Sequence, residues 1–125
     1  MLGDKMVNAT LPVADLDRAV EFYKDKLGLK ADEKGKGGVM VWAGMGTGIY
    51  LYERGPTKAD HTVVGFNVDD VEAEVDELRD NGVDFLDYDM PDMGIKTENG
   101  VATIGDWKAA WFKDPDNNII SINQM

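Results

Sequence analysis

Residues 11–23 read LPVADLDRAVEFY, and they predict the end of a β-strand followed at once by an amphipathic helix. Asp15 is suited to cap this helix, because its side chain can accept a hydrogen bond from a free backbone N–H of the first turn. Apolar residues then recur at helical spacing as far as Leu27, and Gly28 is suited to the position just after a helix. The stretch therefore predicts a strand joined directly to a helix.

The same pattern returns 55 residues later in the chain. The sequence VADL at 13–16 corresponds to VDDV at 68–71, where Asp69 or Asp70 is suited to cap a second helix. An apolar face at helical spacing follows, and Gly82 is suited to end the helix. A repeat of this kind predicts two similar modules that pack together, because neither half could bury its sheet face alone.

Short β-type runs separated by turn residues surround both helices. The predicted strands are Lys5–Val13, Leu29–Glu33, Val39–Ala43, Gly48–Glu53, His61–Val68, Val83–Tyr88, Ala109–Lys113 and Ile119–Asn123. Each half thus has the order strand, helix, further strands, which predicts an α+β fold. We expect one domain over residues 1–125, with module one at about 5–53, a linker at 54–60 and module two at about 61–124.

Composition narrows the classes of function. A net charge of −11 argues against nucleic-acid binding, which requires lysine and arginine to neutralise phosphates. The chain has no cysteine, so disulfides, thiol catalysis and thiolate metal sites are excluded. The longest apolar runs are far shorter than the roughly 20 residues of a membrane helix, and no secretory signal is recognisable. These features predict a cytoplasmic protein that binds neither nucleic acid nor membrane.

The acidity itself has three explanations. The simplest is a solvated surface that keeps the protein soluble. Adaptation to high salt and attraction of cationic ligands remain open alternatives.

The residues quoted above resemble a known family. LPVADLDRAVEFY at 11–23, followed by LGL at 27–29, resembles the opening of glyoxalase I, extradiol dioxygenases, and fosfomycin and bleomycin resistance proteins. VDDV at 68–71 resembles the start of their second module, and WFKDPDNN at 111–118 resembles their closing hairpin. These proteins form the vicinal oxygen chelate superfamily, and the resemblance covers nearly the whole chain.

The resemblance implies two βαβββ modules with pseudo-twofold symmetry, whose mixed sheets form a cup around a divalent metal. The four positions that would supply its ligands are Asn8, Tyr50, Val63 and Ser121. A valine has no donor atom, and the other three side chains are poor ligands for zinc, nickel or iron. We therefore expect neither a metal nor another cofactor.

Strand alternation predicts which other side chains line the cup. Thr10 shares a face with Asn8, Tyr52 with Tyr50, His61 with Val63, and Asn123 with Ser121. On the strand before the closing turn, Trp111 shares a face with Ala109 and Lys113. The predicted ligand-binding residues are Asn8, Thr10, Tyr50, Tyr52, His61, Val63, Trp111, Ser121 and Asn123.

This aromatic lining favours a metal-independent protein that binds a small organic molecule, aromatic or cationic in character. Two alternatives remain open: a glyoxalase-, isomerase- or dioxygenase-like enzyme with metal-free or relocated-metal chemistry, and a structural or regulatory domain with a filled cup. The resemblance also implies a homodimer.

Overall fold

Each half of the chain forms its own mixed β-sheet with a helical segment packed on it. The computed structural model describes residues 1–55 and 58–124. It divides into two units, Met1–Thr57 and Lys58–Met125. The predicted α+β class and the order strand, helix, further strands in each half are confirmed.

The first unit contains a four-stranded sheet. Its elements are β1 (Ala9–Val13), α1 (Leu16–Glu21), a π-helical turn (Phe22–Lys26), β2 (Lys30–Ala31), β3 (Gly38–Trp42), a 3-10 turn (Gly44–Gly46) and β4 (Gly48–Glu53). The strands lie in the order β1-β4-β3-β2, with β1 parallel to β4 and the other neighbours antiparallel.

The helix covers one face of this sheet because apolar residues alternate along each strand. The buried sheet residues are Leu11, Val13, Val39, Val41, Ile49 and Leu51. From the helical segment, Leu16, Ala19, Phe22 and Tyr23 are buried. The sequence predicted a regular α-helix as far as Leu27, but its last turns are π-helical. Phe22 and Tyr23, which begin this π turn, are both buried.

The second unit contains a six-stranded sheet. Its elements are β5 (Thr62–Asn67), α2 (Val71–Asp80), β6 (Asp89–Met90), a 3-10 turn (Pro91–Met93), β7 (Ile95–Glu98), β8 (Val101–Ile104), β9 (Trp107–Lys113) and β10 (Ile119–Gln124). The order is β5-β10-β9-β8-β7-β6, with β5 parallel to β10. In residues 1–55 and 58–124 no helix has the length and apolar character needed to cross a membrane.

The second unit extends the sheet order of the first unit by one hairpin. Its strands β5-β10-β9-β8 repeat the order β1-β4-β3-β2, and β7 and β6 are added at the far edge. The predicted strand Val83–Tyr88 is wrong, because only Phe85 makes an isolated bridge, to Phe112. The sequence does contain a hairpin signal for β7 and β8: Asn99 and Gly100 both have positive φ, as a type I′ turn requires.

The two helices begin in the same way, 55 residues apart. The side chain of Asp15 accepts a hydrogen bond from the backbone N–H of Arg18, and Asp70 accepts one from Ala73, each at 3.2 Å. Asp70 rather than Asp69 is therefore the second cap. Gly82 follows the second helix with a φ of 90°. The repeated motif thus sets where each helix starts.

A buried carboxylate organises the turn between β9 and β10. The Asp114 side chain accepts hydrogen bonds from the backbone N–H of Asp116 at 2.8 Å and of Asn118 at 2.9 Å. Its second oxygen accepts a hydrogen bond from the Asn118 amide at 2.8 Å. Asn117 occupies the left-handed region with a φ of 68°. This network fixes the pairing of β9 with β10 at the centre of the sheet.

We predict that Asp114→Ala lowers the free energy of unfolding by about 3 kcal/mol, because it leaves buried donors without an acceptor. Urea denaturation measures the loss. Asn117→Gly is the matched control in the same turn, since glycine adopts the same φ freely, and its effect should stay below about 1 kcal/mol. Equal losses in the two variants would contradict the role given to the carboxylate.

Candidate ligand-binding site

A cavity of about 540 Å³ lies within the second unit. It opens on the sheet face that carries Trp111 and Ser121, which pair directly across β9 and β10. Alternation places Phe112 and Ile120 on the other face, and α2 packs against the same two strands. The cavity is lined by Asp60, His61, Thr62, Tyr88, Met90, Met93, Ile95, Trp107, Trp111, Ser121 and Asn123.

Three aromatic rings, those of Tyr88, Trp107 and Trp111, form one part of the apolar lining. The ring centroids of Tyr88 and Trp111 are 5.3 Å apart, and the two ring planes meet at 87°. The centroids of Trp107 and Trp111 are 6.4 Å apart, with the planes at 86°. Both neighbours are thus perpendicular to Trp111. Edge-to-face contacts of this kind stabilise aromatic clusters and hold the rings in fixed orientations.

Trp111 belongs both to the core and to the cavity. Its side chain is 7% exposed and packs in a cluster with Ala102, Ala109 and Ile119. The same residue lines the cavity. Core packing and cavity lining are thus combined in one side chain. Replacing Trp111 therefore changes stability as well as the cavity.

Tyr88 is held by the added hairpin. Its backbone N–H donates to the Thr97 hydroxyl at 2.8 Å, and the Thr97 N–H donates to the Tyr88 carbonyl at 2.9 Å. Burial raises the pKa of the Tyr88 hydroxyl above its ordinary value. The ring is therefore neutral at physiological pH and acts as an apolar wall with one hydroxyl.

The hairpin of β6 and β7 supplies the outer wall. Met90 pairs with Ile95 across it, and both are half-buried. Between them the chain turns through Pro91–Met93 and Gly94, whose φ is 68°. Met93 lies at this tip and is 66% exposed. Two flexible thioether side chains thus border the cavity, and such side chains adapt to ligands of different shape.

The lining also contains polar side chains. The Asn123 amide donates to the Ser121 hydroxyl at 3.0 Å. Gly65 pairs with Ser121, and a Cβ at Gly65 would approach both side chains to 3.0 Å, so only glycine leaves this polar pair undisturbed. The His61 side chain is 71% exposed, and its Nδ1 lies 3.8 Å from the Asp60 carboxylate. The lining therefore combines hydrogen-bonding side chains with the aromatic rings.

The predicted residues of the first unit share one surface of its sheet. Thr10 pairs with Tyr50 between β1 and β4, and alternation places Tyr52 on the same side, opposite α1. Asn8 is exposed and directly precedes β1. Tyr50 is 38% exposed, and its ring lies over Gly38, where any Cβ would clash with it.

All but one of the residues predicted in the second unit line the cavity. His61, Trp111, Ser121 and Asn123 line it, but Val63 does not. The register of β5 against β10 shifts at this point, so that Thr62 pairs with Ile119 and Val64 with Ile120. Val63 is the extra residue, and this interrupts the alternation from which its position was predicted.

Sequence reasoning missed the aromatic and methionine side chains that complete the lining. Trp107 could have been found, because it continues the alternation of Ala109 and Trp111 by one step. Tyr88 was assigned to a strand that does not form. Met90 and Met93 lie in a segment without strand periodicity, and no sequence signal placed them at the cavity.

The side chains at the metal-ligand positions that the resemblance implies do not fit a metal. Within each unit the implied pair is Asn8 with Tyr50, and Val63 with Ser121. Among the described residues, no group of three or more histidine, cysteine, aspartate and glutamate side chains is arranged to hold a metal ion. The Ser121 hydroxyl is already an acceptor for Asn123. No chemistry that requires a metal follows from this arrangement of donors.

Known proteins share this architecture. The chain is 30% identical to the uncharacterized protein YraH of Bacillus subtilis (strain 168), covering 97% of this chain and 98% of YraH. It is similar to the crystal structure of TnmS3, an antibiotic binding protein from Streptomyces sp. CB03234, with a TM-score of 0.72 and 25% identity, covering 99% and 98% of the two chains. The fosfomycin resistance protein FosX of Mesorhizobium loti shares the fold, with a TM-score of 0.68 at 12% identity, covering 98% of this chain and 92% of FosX.

The family comparison agrees with these structures. The match to the Glyoxalase/Bleomycin resistance protein/Dioxygenase superfamily extends over residues 5–122. It includes both capped helices and all ten strands except the end of β10. The chain belongs to the Glyoxalase/Bleomycin resistance protein/Dioxygenase superfamily.

Proposed function

We propose that this protein binds a small organic molecule in the cavity of the second unit, without a metal ion. The observation that carries the proposal is the lining itself: three aromatic rings and several hydrogen-bonding side chains border one cavity of about 540 Å³. Cavities for small ligands have volumes of roughly 300–1,000 Å³ and combine apolar walls with a few polar groups. The likeness to TnmS3, an antibiotic binding protein at 25% identity, supports binding rather than catalysis.

The chemistry of the lining also favours binding. The chain has no cysteine, and its single histidine, His61, is exposed at the cavity mouth next to Asp60. A nucleophile activated by histidine needs the two groups within hydrogen-bonding distance. The Ser121 hydroxyl in the lining accepts a hydrogen bond from Asn123 instead. The groups present are suited to hold a ligand in place.

The neutral dye N-phenyl-1-naphthylamine is a suitable first probe, since its emission rises in apolar sites. We predict saturable binding that Trp107→Ala weakens roughly 2- to 10-fold, the range expected for loss of one aromatic contact. Trp42→Ala is the matched control, because Trp42 is also half-buried but belongs to the sheet of the first unit. A fluorescence titration that gives equal affinities for both variants, or no saturable binding, would refute the proposal.

We predict that the protein purified without chelator contains well below one metal ion per chain, as measured by inductively coupled plasma mass spectrometry. Added Zn²⁺, Ni²⁺ or Mn²⁺ should leave the melting temperature unchanged, whereas a site with the metal at 100 times its dissociation constant would stabilise the fold by about 2.7 kcal/mol. One bound metal per chain would contradict metal independence even if the dye binds.

We also propose that the protein is a homodimer, supported by an apolar surface on the first unit. The exposed side chains there are Met1, Leu2, Met6, Val7 and Met45. Gly46 brings the turn containing Met45 close to Met6, since a Cβ at Gly46 would lie 3.7 Å from the Met6 methyl group. Clustered exposed apolar side chains are typical of interaction surfaces.

Light scattering should accordingly give twice the monomer mass of 13.8 kDa. Val7→Asp should shift the protein toward monomer by placing a charge in the apolar surface. Ala73→Asp makes the same change in charge on the exposed side of α2 and should leave the mass unchanged. A monomer for the unsubstituted protein at micromolar concentration would overturn the proposal.

A further inference from the structure

We propose that the cavity recognises a methylated ammonium group of its ligand, which it holds against the rings of Tyr88, Trp107 and Trp111. This inference rests on the proposed function, and it specifies the chemical class of the ligand. Three observations carry it: the mutual orientation of the rings, the charges in the lining, and the apolar character of the remaining wall.

The three rings differ in orientation, so they can contact one ligand group from more than one direction. Tyr88 and Trp107 stand perpendicular to Trp111, at 87° and 86°, so the three rings present surfaces in different planes to one cavity. The face of an aromatic ring is electron-rich and attracts a cation within about 6 Å of the ring centroid. Cages of several rings are a common way for proteins to recognise choline and methylated lysine.

The charges in the lining favour a cation over an anion. Among the described residues that line the cavity there is no lysine or arginine, and the one carboxylate is that of Asp60. The chain as a whole carries a net charge of −11. A phosphate or carboxylate ligand would therefore find no cationic partner and a repulsive field, whereas the same field attracts an ammonium ion.

The remaining wall selects among ammonium ions. Met90 and Ile95 present apolar side chains to the cavity. A primary ammonium carries three N–H donors that need acceptors when they leave water, and the Ser121 hydroxyl beside Trp111 already accepts a hydrogen bond from Asn123. A quaternary ammonium has no N–H group, so its methyl groups can contact the rings and the apolar side chains directly.

The test compares choline with 3,3-dimethyl-1-butanol, which has the same shape but no charge. The chain has three tryptophans, and Trp42→Phe leaves only the two cavity tryptophans as fluorescent reporters. Titrations of this variant at about 0.5 M sodium chloride screen the field of distant carboxylates. We expect choline to bind roughly 2- to 30-fold more tightly than the neutral isostere.

Substitutions in the same background identify the source of the preference. Trp107→Leu keeps an apolar side chain but removes the ring, so the ratio of the two affinities should fall toward one. Trp107→Phe keeps a ring and should retain most of the ratio. Asp60→Asn should change it little, because the Asp60 side chain is fully exposed.

The outcomes separate this inference from the proposed function. Equal or weaker binding of choline relative to the isostere overturns the ammonium specificity, while saturable binding of the neutral dye would still support a small-molecule site. A preference that survives Trp107→Leu but disappears in Asp60→Asn would also overturn recognition by the rings, since the carboxylate would then be its source. If neither choline nor the dye binds, both proposals fail.

Discussion

The burial of one face of each sheet under its own helix is the constraint on which the rest of the structure depends. In the second unit, the buried side of α2 consists of Val71, Val75 and Leu78. Because side chains alternate along a strand, every second residue of β9 and β10 must then point away from the helix. That requirement turns Trp111 and Ser121 toward the cavity. The site is thus a consequence of how the core is covered.

The parts of the fold that the sequence predicted are those with strong local signals. An aspartate before an apolar helix and a glycine after it have direct physical roles, and their recurrence 55 residues later located both helices. Trp111, Ser121 and Asn123 line the cavity because they alternate along the paired strands β9 and β10. Val63 lies at a register shift that interrupts alternation, and nothing in the local sequence signals this shift. Tyr88 owes its position to hydrogen bonds with Thr97, a tertiary contact between segments with weak periodicity.

The resemblance implies a metal site, whereas the proposed function uses the same scaffold without a metal. A metal site needs several charged or imidazole donors that converge on one point. Here the side chains at the four implied positions are amide, phenol, alkyl and hydroxyl groups, and one of them, Ser121, accepts a hydrogen bond from Asn123. Under the proposed function, the energy for recognition comes from contact area and ring electrostatics. Fold and function are separable in this way because the chemistry resides in a few side chains.

The position of the β6 and β7 hairpin has a consequence for sequence variation. It is attached at the far edge of the sheet, separated from β5, β10 and β9 by β8, yet it supplies Met90, Met93 and Ile95 to the cavity wall. Insertions, deletions and substitutions are tolerated best where few long-range contacts depend on a segment. Changes in the length and composition of the hairpin should therefore leave the pairing of the central strands intact. Under the proposed function, such changes at the edge of the sheet would alter which ligands the cavity accepts.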